Sequence, residues 1–183
     1  MPTHVVEKNV SDERGTLLAF LDAQRGGVRR ALLGLTAEQA LSRPSASEMS
    51  LAGLLKHVIQ AEQNWLELAR GDASETAFDD EVMKRWAAGW RPEERETVPA
   101  LLATWDEAAA ETERFIHAVP SLEETFALPA APWFPQESRV SMRWLLLHLI
   151  EEVGRHAGHA DIIRESIDGK TAFELVEEAQ REG

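Results

Sequence analysis

The stretch LLLHLIEEVGRHAGHADIIRE, from Leu145 to Glu165, gathers three of the chain's 6 histidines beside two adjacent glutamates. On a helix, at about 100° per residue, His148, Glu152, His156 and His159 project at about −40°, 0°, +40° and −20° relative to Glu152. All four therefore share one stripe, and side chains at i and i+4 stand about 5–6 Å apart, close enough to converge on one cation. Leu145, Leu149, Val153 and Ile163 fall on or beside that stripe, so it is expected to look inward. Glu151, Arg155, Arg164 and Glu165 are left for water, ion pairs or the margin of a site.

Helical bundles build metal sites from inward carboxylates and histidines on facing helices. His57 is the other histidine placed mid-helix at a core boundary. With Glu152 and His156 it makes two imidazoles and one carboxylate, a set that leaves coordination positions open on Zn²⁺, Ni²⁺ or Fe²⁺. Leaving so many ionisable groups buried and unpaired would cost several kcal/mol, so they must meet each other, solvent or a cation. His117 reads as a dipole partner at a helix C-terminus, and His4 as part of a tail.

Four long helices are expected to position these groups. The first starts with Ser11 as N-cap, Asp12 and Glu13 in its first turn, and an apolar series Leu17, Leu21, Val28, Leu32 and Leu35. Gly26 and Gly27 weaken it and suit close helix packing. Thr36 and Gln39 form a capping box for one short turn, which Pro44 limits. Ser50 caps the second long helix and Gly71 ends it. Residues 72 to 96 are acidic, with Phe78, Val82, Trp86 and Trp90 hinting at a short amphipathic piece. Thr97 opens the third long helix, with Pro99 tolerable in its first turn, and Pro120 closes it. Residues 121–140 read as a long loop. Ser141 opens the fourth helix, which runs to about Asp168 before Gly169. Thr171 and Glu174 make a second capping box for a short terminal helix. The fold class expected is all-α, a four-helix bundle in one domain over 1–183 with its core at about 10–170.

The totals fit that picture. A chain of 183 residues with 44% hydrophobic and 28% charged content is globular in composition. Cysteine is absent, which excludes disulfides, Fe–S ligation and a thiol nucleophile of the chain's own. A net charge of −13, with lysine confined to Lys8, Lys56, Lys84 and Lys170, argues against nucleic-acid binding. The opening MPTHVVEKNVSDERG has no apolar core like that of a signal peptide, and no run reaches membrane-spanning length; a cytoplasmic location is expected.

SLAGLLKHVIQAEQNW followed by SMRWLLLHLIEEVGRHAGHADIIRESIDG resembles the DUF664 branch of the DinB-like superfamily, relatives of the mycothiol-dependent maleylpyruvate isomerases. RGTLLAFLDAQRGGVRRALLGLTAEQALSRP is similar to its first helix and following turn. The resemblance covers about residues 10 to 170 and is specific at the second and fourth helices. It implies a down-up-up-down bundle with a divalent metal, held by one ligand from the second helix and an i, i+4 pair from the fourth. His57 in LLKHV matches the first. Glu152 and His156 match the E-x-x-x-H form of the pair, where many relatives carry H-x-x-x-H. His159, just beyond, would line the site or replace a ligand, and His148 would lie one turn outward. Trp144, with Trp65 and Trp133, would wall a pocket or fill the core.

By the same resemblance the metal would activate a low-molecular-weight thiol such as mycothiol or bacillithiol, or hydrolyse an amide. The expected function is metal-dependent thiol transfer or isomerisation on small electrophiles, with a small-molecule partner. The alternative is a non-catalytic metal- or ligand-binding bundle acting as a homodimer. In a third reading the histidines bind nothing.

Overall fold

The computed structural model describes residues 12–72, 83, 84 and 87–182. Its helices, among these residues, are α1 (Glu13–Ala31), α2 (Ala37–Leu41), α3 (Leu51–Arg70), α4 (Val98–Ala118), α5 (Met142–Asp168) and α6 (Ala172–Glu182). Two short strands, β1 (Thr125–Ala127) and β2 (Arg139–Ser141), pair antiparallel with Phe126 opposite Val140.

The helix boundaries follow from local chemistry. The side chains of Ser50, Thr97 and Ser141 each accept a hydrogen bond from the backbone three residues on, satisfying donors that the first helical turn leaves unpaired. Gly71 and Gly169 adopt left-handed backbone at the ends of α3 and α5, where a side chain would be strained. Both expected capping boxes form, Thr36 with Gln39 and Thr171 with Glu174.

Three features depart from the sequence-based expectation. The N-cap of α1 is Asp12, whose carboxylate accepts from Gly15 N at 2.7 Å; Ser11 lies outside the described residues. The helix also stops at Ala31, before Leu35; the chain then turns through Gly34, whose φ is 69°, and Arg164 of α5 donates to the freed carbonyls of Ala31 and Leu33. That guanidinium, expected to meet water, an ion pair or the margin of a site, is only 1% exposed and forms an ion pair with Asp168. The expected loop 121–140 holds β1 and all but the last residue of β2, three-residue strands too short to show an alternation. Phe78, Val82 and Trp86 lie outside the described residues.

Contacts between helices fix their directions. Glu13 meets Arg143, and the Gly27 position faces Ala157, so α1 and α5 run parallel. Arg14 reaches the His117 carbonyl and Arg29 pairs with Asp106, so α1 and α4 are antiparallel. His57 faces Glu152 while Trp65 faces His148 and Trp144, so α3 runs against α5. The result is a down-up-up-down bundle. A Cβ on Gly27 would stand 3.1 Å from the Ala157 Cβ, so this glycine permits the close approach of α1 to α5.

The core holds Leu21, Val28, Leu54, Leu55, Val58, Leu145, Leu146, Leu149 and Ile163, with Trp105 enclosed from α4. A polar knot crosses it. Glu62 of α3, at 0% exposure, accepts from Arg25 Nε at 3.1 Å, Trp105 Nε1 at 2.9 Å and Thr112 Oγ1 at 2.7 Å, and also from Arg25 Nη2. Three helices thus share one carboxylate. A sequence signal for this knot exists: Arg25 interrupts the apolar stripe Leu18, Leu21, Val28, Leu32, and Glu62 interrupts Leu55, Ile59, Leu66. Opposite charges set into two apolar stripes mark a buried pair.

Candidate metal centre

The antiparallel register of α3 and α5 brings His57 against the middle of α5. Its Nε2 lies 3.1 Å from Glu152 Oε1, and His156 Nε2 lies 3.2 Å from the same oxygen. Among the described residues, His57, Glu152 and His156 offer ligand atoms that all lie within 4.8 Å of one another. Atoms bound at the zinc distances of about 2.0–2.1 Å around a tetrahedral ion stand about 3.3 Å apart. The donor set therefore suits a divalent metal in chemistry, and the two separations to Glu152 Oε1 match that spacing. Both imidazoles are buried and the carboxylate is half-buried.

Hydrogen bonds from His156 and then His57 hold the Glu152 carboxyl well below the usual carboxylate range, against the opposing effect of burial. Glu152 is consequently an anion throughout neutral and mildly acidic conditions, as a ligand must be.

Two further rings touch the group. Trp90, from the segment before α4, stacks on His57 with centroids 3.8 Å apart and planes at 13°, and meets His156 edge-on at 5.4 Å. His159 Nδ1 sits 3.3 Å from His156 Nδ1. His159 thus lines the site from behind His156, rather than joining the three converging donors. Burial above all, with neighbouring Arg155 and against the pull of Glu152, lowers its pKa, which favours the neutral ring that can accept a hydrogen bond.

His148 and Trp144 occupy a different place. They stack on each other at 4.9 Å and 6°, and Trp65 packs edge-on to both, at 4.5 Å from His148 and 5.4 Å from Trp144. Phe134 extends the cluster at 6.4 Å from Trp65, and Trp133, 60% exposed, flanks Phe134 at 6.2 Å. Helical steps of four residues are about 6 Å long, so this aromatic cluster begins one turn along the α3–α5 groove from Glu152. His117 stays on the surface in the last turn of α4, 3.9 Å from Glu113.

Burial lowers the His148 pKa, outweighing the pull of Glu152 and Glu151. A base that is harder to protonate in the folded state makes stability rise with pH. Its contribution is complete above the ordinary histidine value of about 6.5 and is lost as pH falls toward the lowered value. His148→Phe, which keeps a ring between Trp65 and Trp144, should flatten the stability profile between about pH 7 and pH 5. Urea midpoints across that range check this; an unchanged slope would refute the assignment.

Of the residues singled out from sequence, the fold brings His57, Glu152, His156 and His159 together and groups His148 with Trp144. Sequence reasoning missed Trp90 as a neighbour of His57, since nothing in its local pattern tells which helix its ring will meet. Among the described residues, no helix is long and apolar enough to cross a membrane.

Comparison with known proteins agrees with this architecture. A crystal structure described as the conserved protein of locus from Enterococcus faecalis superposes with a TM-score of 0.58 at 16% identity, covering 88% of this chain and 100% of that one. That likeness is one of fold. No curated protein sequence matches the chain. The sequence profile of the family described as mycothiol-S-transferase matches residues 16–169. Most of the chain lies within that match, and the protein belongs to the mycothiol-S-transferase family, a DinB-like family.

Proposed function

We propose that this protein binds a divalent metal through His57, Glu152 and His156 and transfers a low-molecular-weight thiol, of the mycothiol or bacillithiol type, to small electrophiles. The observation that carries the reading is the convergence of two buried imidazoles and one ionised carboxylate from facing helices. The family's description supplies the thiol. A bound ion would supply Lewis acidity, lowering the pKa of a thiol so that the thiolate is available near neutral pH.

The chain's own residues account for the rest. For His156 to present the Nε2 lone pair, its proton must sit on Nδ1, and neutral His159 is placed to accept it. Such outer partners commonly set the tautomer of a ligating histidine. Trp65, Trp144 and His148 offer ring faces and edges beside the site, suited to the apolar body of an electrophile. The chain has no cysteine to compete as nucleophile.

The test is conjugation of monochlorobimane by protein purified without a histidine tag, using a panel of bacterial thiols. Metal-dependent conjugation that stops with chelator and returns with Zn²⁺ or Ni²⁺ is the expected result. Failure with every thiol, in protein shown to carry metal, would reduce the site to a binding one.

A further inference from the structure

The segment leading into α4 does more than connect. Gly53, Lys56 and His57 lie on one face of α3, at i, i+3 and i+4, and each engages that segment. At Gly53 a Cβ would fall 2.3 Å from the Trp90 carbonyl oxygen and 3.2 Å from its carbon. Only glycine lets this backbone lie so close. Lys56, 6% exposed, donates from Nζ to the Arg91 carbonyl at 3.1 Å and to Glu96 Oε2 at 2.8 Å. The same Glu96 oxygen accepts from Glu93 N at 2.6 Å, which ties the segment to itself. Trp90 is thereby laid flat on His57.

An imidazole needs such support. Its outer torsion has a broad, roughly two-fold energy profile, so an unbraced ring rotates and flips, exchanging the atoms it points at a partner. We propose that Trp90 is a positioning residue: strapped to α3 by Gly53 and Lys56, it fixes the His57 ring with Nε2 toward Glu152. It also covers the end of the groove opposite the Trp65–Trp144–His148 cluster. This rests on the assignment of His57 as a ligand, and its test separates the two.

Zn²⁺ affinity is measured by competition with a chelating dye in wild-type protein and in Trp90→Ala, Trp90→Phe, Gly53→Ala and Gly158→Ala, each first shown to be helical and cooperatively folded. Loss of an outer partner of a ligand typically weakens metal binding by about 10–100-fold. Trp90→Ala and Gly53→Ala should fall in that range, and Trp90→Phe, which keeps a stacking face, should recover most of it. Gly158→Ala is the control, because a Cβ there meets nothing within 4 Å. In parallel, the His57 ring protons are followed by NMR in metal-free protein. Their upfield shift under the indole should vanish in Trp90→Ala and shrink in Gly53→Ala.

Wild-type affinity in Trp90→Ala and Gly53→Ala, with wild-type protein binding zinc, overturns the positioning role and leaves the ligand assignment standing. If wild-type protein binds no zinc, the ligand assignment fails and the ring protons decide alone: a shift lost in Trp90→Ala and reduced in Gly53→Ala supports the strap, and a shift unchanged in either variant refutes it. If Trp90→Ala does not fold, the same two readouts are taken from Gly53→Ala, where all the rings remain.

Discussion

Replacing His57 or His156 by alanine should each weaken Zn²⁺ binding by more than about 100-fold, the upper end of what loss of an outer partner costs a metal site. Each substitution removes one of three donors and leaves a set too small to hold the ion against water. Glu152→Gln should act in the same direction. The amide keeps the shape but cannot supply the anion that His156 and His57 hold below the usual carboxylate range. His117→Ala should bind as wild type, because that ring stands on the surface of α4 beside Glu113. Direct metal analysis comes first: fewer than about one ion per ten chains, unrestored by added Zn²⁺ or Ni²⁺, would end the metal reading. Tight binding that survives His57→Ala would instead move the site elsewhere.

Glu62→Ala should destabilise the fold by about 3–5 kcal/mol, the usual cost of stripping one partner from a buried ion pair. Arg25 would remain 4% exposed with its main counter-charge gone, and Trp105 Nε1 and Thr112 Oγ1 would lose their acceptor. Against a total stability of about 5–15 kcal/mol for a domain, this is a large fraction. The shift should appear as a lower urea midpoint with unchanged slope. Pairing Arg25→Met with Glu62→Gln should recover part of the loss, since neither buried charge of the pair remains, the half-buried Asp22 that also met Arg25 still reaches solvent, and the amide oxygen still accepts a hydrogen bond. A loss below about 1 kcal/mol in Glu62→Ala would show that water or a rearranged partner satisfies Arg25. The two predictions are separable, because the metal-site variants change binding while the Glu62 variant changes unfolding.

The long helices were legible because their signals are local. Ser50, Thr97 and Ser141 cap where the pattern places them, and Gly71 and Gly169 stop α3 and α5. The short elements were not. β1 and β2 gain their definition from pairing with each other, with Leu128 N bonding the Ser138 carbonyl at 2.8 Å beyond the strand ends. Nor does the local pattern show that the Ala31 carbonyl at the end of α1 is met by a side chain 133 positions away.

The candidate site divides along the same line. Helical periodicity alone puts Glu152, His156 and His159 on one stripe, because three or four residues make one turn whatever the helix packs against. Composition alone removes thiol chemistry from the chain's own side chains. The choice of partner for that stripe belongs to the tertiary structure. Antiparallel packing of α3 on α5 carries His57 across 95 residues to within 3.1 Å of Glu152 and places His148 among tryptophans, while the segment before α4 lays Trp90 on the His57 ring. The physical reason is range. Caps, turns and helical faces are set by bonds within a few residues, whereas convergence on one point depends on the relative register of helices, which the packed core decides.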